Sequence, residues 1–105
     1  MKSENKMLID KVTTMIGLYC DILNRVTTLR NVFGIVIEGI DTDEIEKMLD
    51  QLWKYSSDIY EVNLGYLKEE DVIKIDYHAI HAKLVEYIQI LVSTLNYDNE
   101  KQMKM

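Results

Sequence analysis

Leu8, Val12, Met15, Tyr19, Ile22, Val26, Leu29 and Phe33 follow one another at alternating steps of four and three. That spacing puts all eight on one line of an α-helix and fits no strand, whose side chains repeat every second residue. Ile9, Ile16 and Leu23 widen the line on one side, and Leu18 and Val32 on the other. So broad a stripe predicts packing against more than one neighbouring helix. Ser3 is placed to cap the start.

The end of this helix is open to two readings. The β-branched run in "FGIVIEGI" could form a short extended connector. Val36 and Ile40 nevertheless keep the spacing, which predicts helix to about Glu38, with Gly39 as a left-handed C-cap and a tight turn into the next helix. That second helix opens on Asp41, with Glu44 three residues on as in a capping box. Ile40 and Ile45 stand at the positions of a hydrophobic staple. Its expected seam is Ile45, Met48, Leu52, Tyr55, Ile59, Val62 and Tyr66. Trp53, Tyr60 and Leu67 form a second line, and Lys47, Asp50, Lys54, Ser57, Asp58 and Glu61 a solvated face. Gly65 is a candidate stop.

"KEEDVIKI", residues 68–75, reads as a connector or a short extra turn. Asp76 is an expected N-cap for a third helix, with Ile75 and Ile80 as its staple. Ile80, Leu84, Tyr87, Ile88, Leu91 and Leu95 make its seam, while Val85, Ile90 and Val92 spread apolar surface well beyond it. Proline is absent and glycine numbers four in 105 residues, so turns are few and elements long. The expectation is one all-α domain over residues 1–105, frayed at 1–3 and 98–105. It is an antiparallel bundle of three long helices, with a short fourth as a variant, completed by homo-oligomerisation.

The net charge of -6 argues against nucleic acid, which calls for a basic stripe. Cys20 is the one cysteine, so no intramolecular disulfide or cysteine-cluster metal site can form. "MKSENKMLID" lacks the apolar core of a secretory signal. Residues 77–97 are long enough to span a bilayer, but Lys83 and Glu86 near their middle would each cost about 2.5–3.5 kcal/mol. A cytoplasmic protein without a membrane role is expected.

Three helices can surround one another only partly, and helix 3 is apolar around most of its circumference. Contiguous apolar helix surface marks an interface, and closed homo-oligomers are its commonest form. The competing reading is that "KEEDVIKI" folds over helix 3 and covers it. Opposite the first seam lie Thr13, Gly17, Cys20, Asn24, Thr27 and Asn31, again at steps of four and three. Val12-Thr13-Thr14 returns as Val26-Thr27-Thr28. Solvent faces usually carry long charged helix formers, so small polar groups suit close approach by another backbone, or simply a polar exterior. Trp53, Tyr60, Val85 and Val92 complete the candidate interface residues.

Chemistry-bearing motifs are sparse. His78 and His81 share a helix face, with Asp76 and Glu86 nearby in sequence, but no third ligand is fixed, so no metal or cofactor is expected. Cys20 has no sequence partner to activate it. Glu69, Glu70 and Asp71 form a run without the opposed geometry of acid–base catalysis. Phosphate loops, Ser-His-Asp order and HExxH are absent. The sequence therefore points to a small, acidic, non-enzymatic interaction module, a regulator or inhibitor that binds a partner protein. The alternative is an oligomer that sequesters a small anion such as a nucleotide in an intersubunit pocket lined by Asn24, Arg25, Thr27, Thr28, Arg30 and Asn31, where the arginines could grip phosphate.

Overall fold

A computed structural model describes residues 3–103 of the chain, and their side chains from Met7 to Thr94. Three long helices, α1 (Ser3–Phe33), α2 (Thr42–Asn63) and α3 (Tyr77–Met103), account for the fold, with one 3₁₀ turn at Glu69–Asp71. Among the described residues there is no strand. The Ser3 cap and the Leu95 seam position involve side chains outside the described residues. Helix α3 is assigned to Met103.

Helix α1 is the middle of the assembly and packs against both α2 and α3, more extensively against α2. Leu8 shares a cleft with Val62 and Tyr77 at one end, and Leu29 a hollow with Leu91 towards the other. Helix α2 therefore runs antiparallel to α1, and α3 parallel to it. Val12, Tyr19, Ile45, Leu52 and Tyr87 are fully enclosed where the three helices meet. Each large apolar side chain buried there is worth about 1.5–3 kcal/mol. The radius of gyration is 17.2 Å and the outline 61 × 24 × 19 Å. A compact chain of this length would have a radius near 13 Å, so the helices extend well past the core they share.

The first seam is buried from Val12 to Val26, while Leu8 and Phe33 at its two ends are exposed. On its flanks, Ile16 is buried in the shared core, whereas Leu18 and Val32 are open. The expected continuation to Glu38 is wrong. Helix α1 stops at Phe33, because Gly34 adopts φ +68° and its N–H closes on the Arg30 carbonyl at 3.2 Å, an αL cap one residue past the helix. Residues 34–37 then run without helical structure, as β-branched residues favour. Val36 is 71% exposed, and Ile37 takes the buried place instead. Gly39 does have positive φ, but in a turn of this connector rather than at a helix end.

The second and third starts follow local chemistry. Asp41 Oδ1 accepts the N–H groups of Asp43 at 3.0 Å and Glu44 at 3.2 Å. Glu44 is turned towards α3, its carboxylate 4.0 Å from Lys83 Nζ. Asp76 Oδ1 accepts the Ala79 N–H at 3.0 Å. Helix α2 closes in a Schellman motif about Gly65, φ +83°, with Tyr66 N–H on the Glu61 carbonyl and Gly65 N–H on that of Val62. Tyr66, expected on the seam, is thereby thrown into solvent, and Leu49 joins the core in addition to the expected positions.

Residues 68–75 make only the single 3₁₀ turn and an extended return. They are tied to α2, not laid over α3: the Ile73 N–H donates to Asp58 Oδ2 at 3.0 Å. Asp58, expected on the solvated face, is 2% exposed and also holds Lys54 Nζ at 3.0 Å.

Candidate functional site

The candidate interface residues fall on three separate faces. Along α1, Thr13, Gly17, Asn24 and Asn31 are exposed, while Cys20 and Thr27 are half-buried, Cys20 against the core. A Cβ at Gly17 would meet nothing within 4 Å. No backbone of the chain itself uses the close approach this glycine permits. The repeated threonines are not equivalent: Thr14 returns its hydroxyl to the Asp10 carbonyl at 2.9 Å, a bond internal to the helix.

The second face is the open side of the α1–α3 pair. A hollow of 300 Å³ is lined by Met7, Thr14, Leu18, Tyr77, His81 and Leu84, and a further one of 280 Å³ by Asn24, Arg25, Thr28, Leu29 and Leu91. Met7, Leu18 and Val32 are exposed along the α1 edge. Val85 and Val92, one heptad apart on α3, are 40% and 49% exposed. Of the six residues considered for an anion site, Asn24, Arg25 and Thr28 come together in the second hollow, and Thr27, Arg30 and Asn31 lie outside its lining. Arg25 is already engaged, its Nε 3.0 Å from Asp21 Oδ2.

Trp53 and Tyr60 stand on a third face, the outer side of α2, 59% and 57% exposed. Leu67, their expected third member, is half-buried beyond the helix end, and exposed Leu64 takes that position. The step from Tyr60 to Leu64 is the signal for it, since four residues keep a helix face as well as seven do. Glu46, Asp50 and Glu61 line the same outer side and are exposed.

A cleft of 670 Å³ lies where the 68–75 connector meets the C-terminal half of α2. Its walls include Leu8, Tyr55, Ile59, Val62, Ile73 and Tyr77. Its roof depends on Asp58, whose carboxyl is held below the usual range first by the Ile73 N–H and then by Lys54. Spacing alone gave no sign of this arrangement, because the partner of Asp58 is a backbone group fifteen residues away.

Titratable groups elsewhere serve the fold. The Tyr19 hydroxyl donates to the Ile80 carbonyl, and burial, then the neighbouring Tyr87 and Glu44, push its pKa far up. Tyr87 is raised by burial and by the Glu44 carboxylate, and Lys83 Nζ sits 5.2 Å from its ring centroid. His78 and His81 both pack on the Tyr77 ring, one edge-on and one stacked, with centroids 6.0 Å apart. Among the described residues no group of three His, Cys, Asp or Glu side chains could hold a metal ion. None of the described helices is long and apolar enough to cross a membrane. No protein-family model, no curated protein and no solved structure matches the chain.

Proposed function

We propose that the chain is a small non-enzymatic interaction module, a regulator or inhibitor that binds a partner protein and works as a homo-oligomer closed through the α1–α3 face. One observation carries this reading. The chain exposes 7561 Å², whereas a compact monomer of its mass exposes about 6,100 Å². That excess belongs to the whole elongated outline, and the part of it a partner could cover is the apolar edge of the α1–α3 pair among the described residues. Leu18, Val32, Val85 and Val92 supply apolar surface for such a contact. A reducing, cytoplasmic setting suits the lone Cys20. Light scattering on the eluting peak tests the assembly: a mass at a multiple of 12.4 kDa supports it. A single species of 12.4 kDa up to high concentration overturns it.

A second reading draws on the grouping of Asn24, Arg25 and Thr28. In the oligomer this hollow would face its counterpart and take a small anion, such as a nucleotide, once Arg25 exchanged Asp21 for phosphate. A thermal-shift series with nucleotides decides this, since a ligand that binds the native state raises the melting temperature. No shift removes it.

A further inference from the structure

The charge of this protein is not spread evenly. Residues 41–76 hold eleven of the eighteen carboxylates and four of the twelve lysines and arginines, a net charge of -7. The two flanking segments, which carry α1 and α3, together sum to +1. The near-neutral α1–α3 side suits a second copy, whereas the α2 side would repel one.

On that acidic side stands the aromatic stripe. Trp53, Tyr60 and Leu64 rise along about 16 Å of α2, all more than half exposed. Ser57 lies between the two aromatics in sequence and is exposed, a short side chain between larger ones. Asp50 and Glu61 flank the stripe and Glu46 lies two turns before it, and none of them forms an ion pair among the described residues. The two lysines of α2 offset them only in part, Glu61 being the one that adds to the hold on Lys54. Lys54 is drawn to Asp58, and Lys47 lines the far flank that faces α3.

We infer that the outer face of α2 docks a cationic amphipathic helix of a partner protein. Apolar side chains of the incoming helix pack on Trp53, Tyr60 and Leu64, across the short Ser57. Lysines or arginines on its margins meet Glu46, Asp50 and Glu61 or lie over the aromatic faces. Tryptophan and tyrosine are the residue types that dominate binding energy at such contacts. The inference rests on the reading of the chain as an interaction module but not on its self-association, because the two faces report separately.

Trp53 is the only tryptophan, so its emission reads this face alone. The probe is a synthetic leucine–lysine amphipathic helix added to dilute full-length protein, with a leucine–glutamate helix of the same pattern as control. The expected result is a saturable blue shift with the lysine peptide, weakened by salt, and none with the glutamate peptide. Glu46→Gln, Asp50→Asn and Glu61→Gln together should weaken binding about tenfold, a local charge effect at the contact. Neutralising Glu69, Glu70 and Asp71, the same change in net charge away from the stripe, should weaken it far less. Equal losses in the two triple variants, equal shifts with both peptides, or no shift would overturn the inference. So would a blue shift on raising protein concentration alone, which would put a second copy on this face.

Discussion

The Asp58 carboxylate accepts the Ile73 backbone N–H at 3.0 Å and the Lys54 ammonium at 3.0 Å, and it is 2% exposed. It is the one buried charged residue among those described. The two bonds differ in what they do. Lys54 is largely exposed and neutralises the charge, whereas Ile73 belongs to the extended return before α3. Asp58 therefore fixes the connector on α2, and with it the walls of the 670 Å³ cleft.

Asp58→Ala should cost about 1–3 kcal/mol, the range for stranding a donor from a buried charge-assisted bond. Lys54→Ala should cost much less. The folded state holds Asp58 deprotonated more firmly than the unfolded chain does, so the unfolded chain takes up the proton first as pH falls. This contribution is complete above about pH 4 and is lost as pH drops through the lower folded value. Urea unfolding of the parent and Asp58→Asn at pH 7 and in acid checks it. The gap between the two should narrow in acid, and a constant gap would show that the carboxylate charge is not what matters.

Tyr19→Phe should lower stability by about 1–3 kcal/mol at neutral pH, because the Ile80 carbonyl loses its buried donor without any loss of packing volume. Alkali acts in the opposite sense to acid at Asp58. The folded state keeps the Tyr19 proton beyond the ordinary value of 10.0, so the unfolded chain ionises first. Stability from this group is whole below about pH 10 and falls as pH rises above it. Denaturant midpoints on either side of pH 10 should fall for the parent and fall less for Tyr19→Phe. Tyr87 remains as a second, smaller source of the same slope.

What could be read ahead of the structure was what is local. Asp41 and Asp76 cap their helices by reaching two or three residues along the chain, and Gly65 ends α2 by a conformation that glycine adopts freely. The seam from Val12 to Val26 is legible because the helix period alone aligns it. The end of α1 was misjudged because Val36 and Ile40 happened to keep that period. Gly34 outweighs them, since a helix that can close its last carbonyls at a glycine does so before a β-branched run. Asp58 was misplaced for a different reason. Its position on α2 fits solvent, and only the returning connector makes it interior.

Gly17→Ala should raise the stability of the folded chain by about 0.5–1 kcal/mol, since alanine is the better helix former and the added methyl meets nothing within 4 Å. The same change should weaken self-association if a second backbone lies against this face. Thermal melts across a range of protein concentrations separate the two effects: a higher melting point in dilute solution is expected, and a flatter dependence on concentration would bring the Gly17 face into the contact. Unchanged concentration dependence would take Gly17 out of the interface and leave only the gain in helix propensity. A lower melting point at every concentration would show that the glycine is needed within the chain itself.

Val85 and Val92 offer the sharpest test of what covers α3. They lie one heptad apart, 40% and 49% exposed, beside buried Leu84 and Leu91. Aspartate at both positions would cost the isolated chain little, because each carboxylate can reach water. In an oligomer closed through the α1–α3 face the same carboxylates would be buried without partners, at several kcal/mol each. Val85→Asp with Val92→Asp should therefore leave the helical circular-dichroism spectrum intact while reducing the light-scattering mass to 12.4 kDa. Trp53 emission should not move, since Trp53 stands on a face of α2 apart from Val85 and Val92. A double variant that keeps the parent's oligomeric mass would place the interface elsewhere, with the α1 face around Gly17 as the next surface to test.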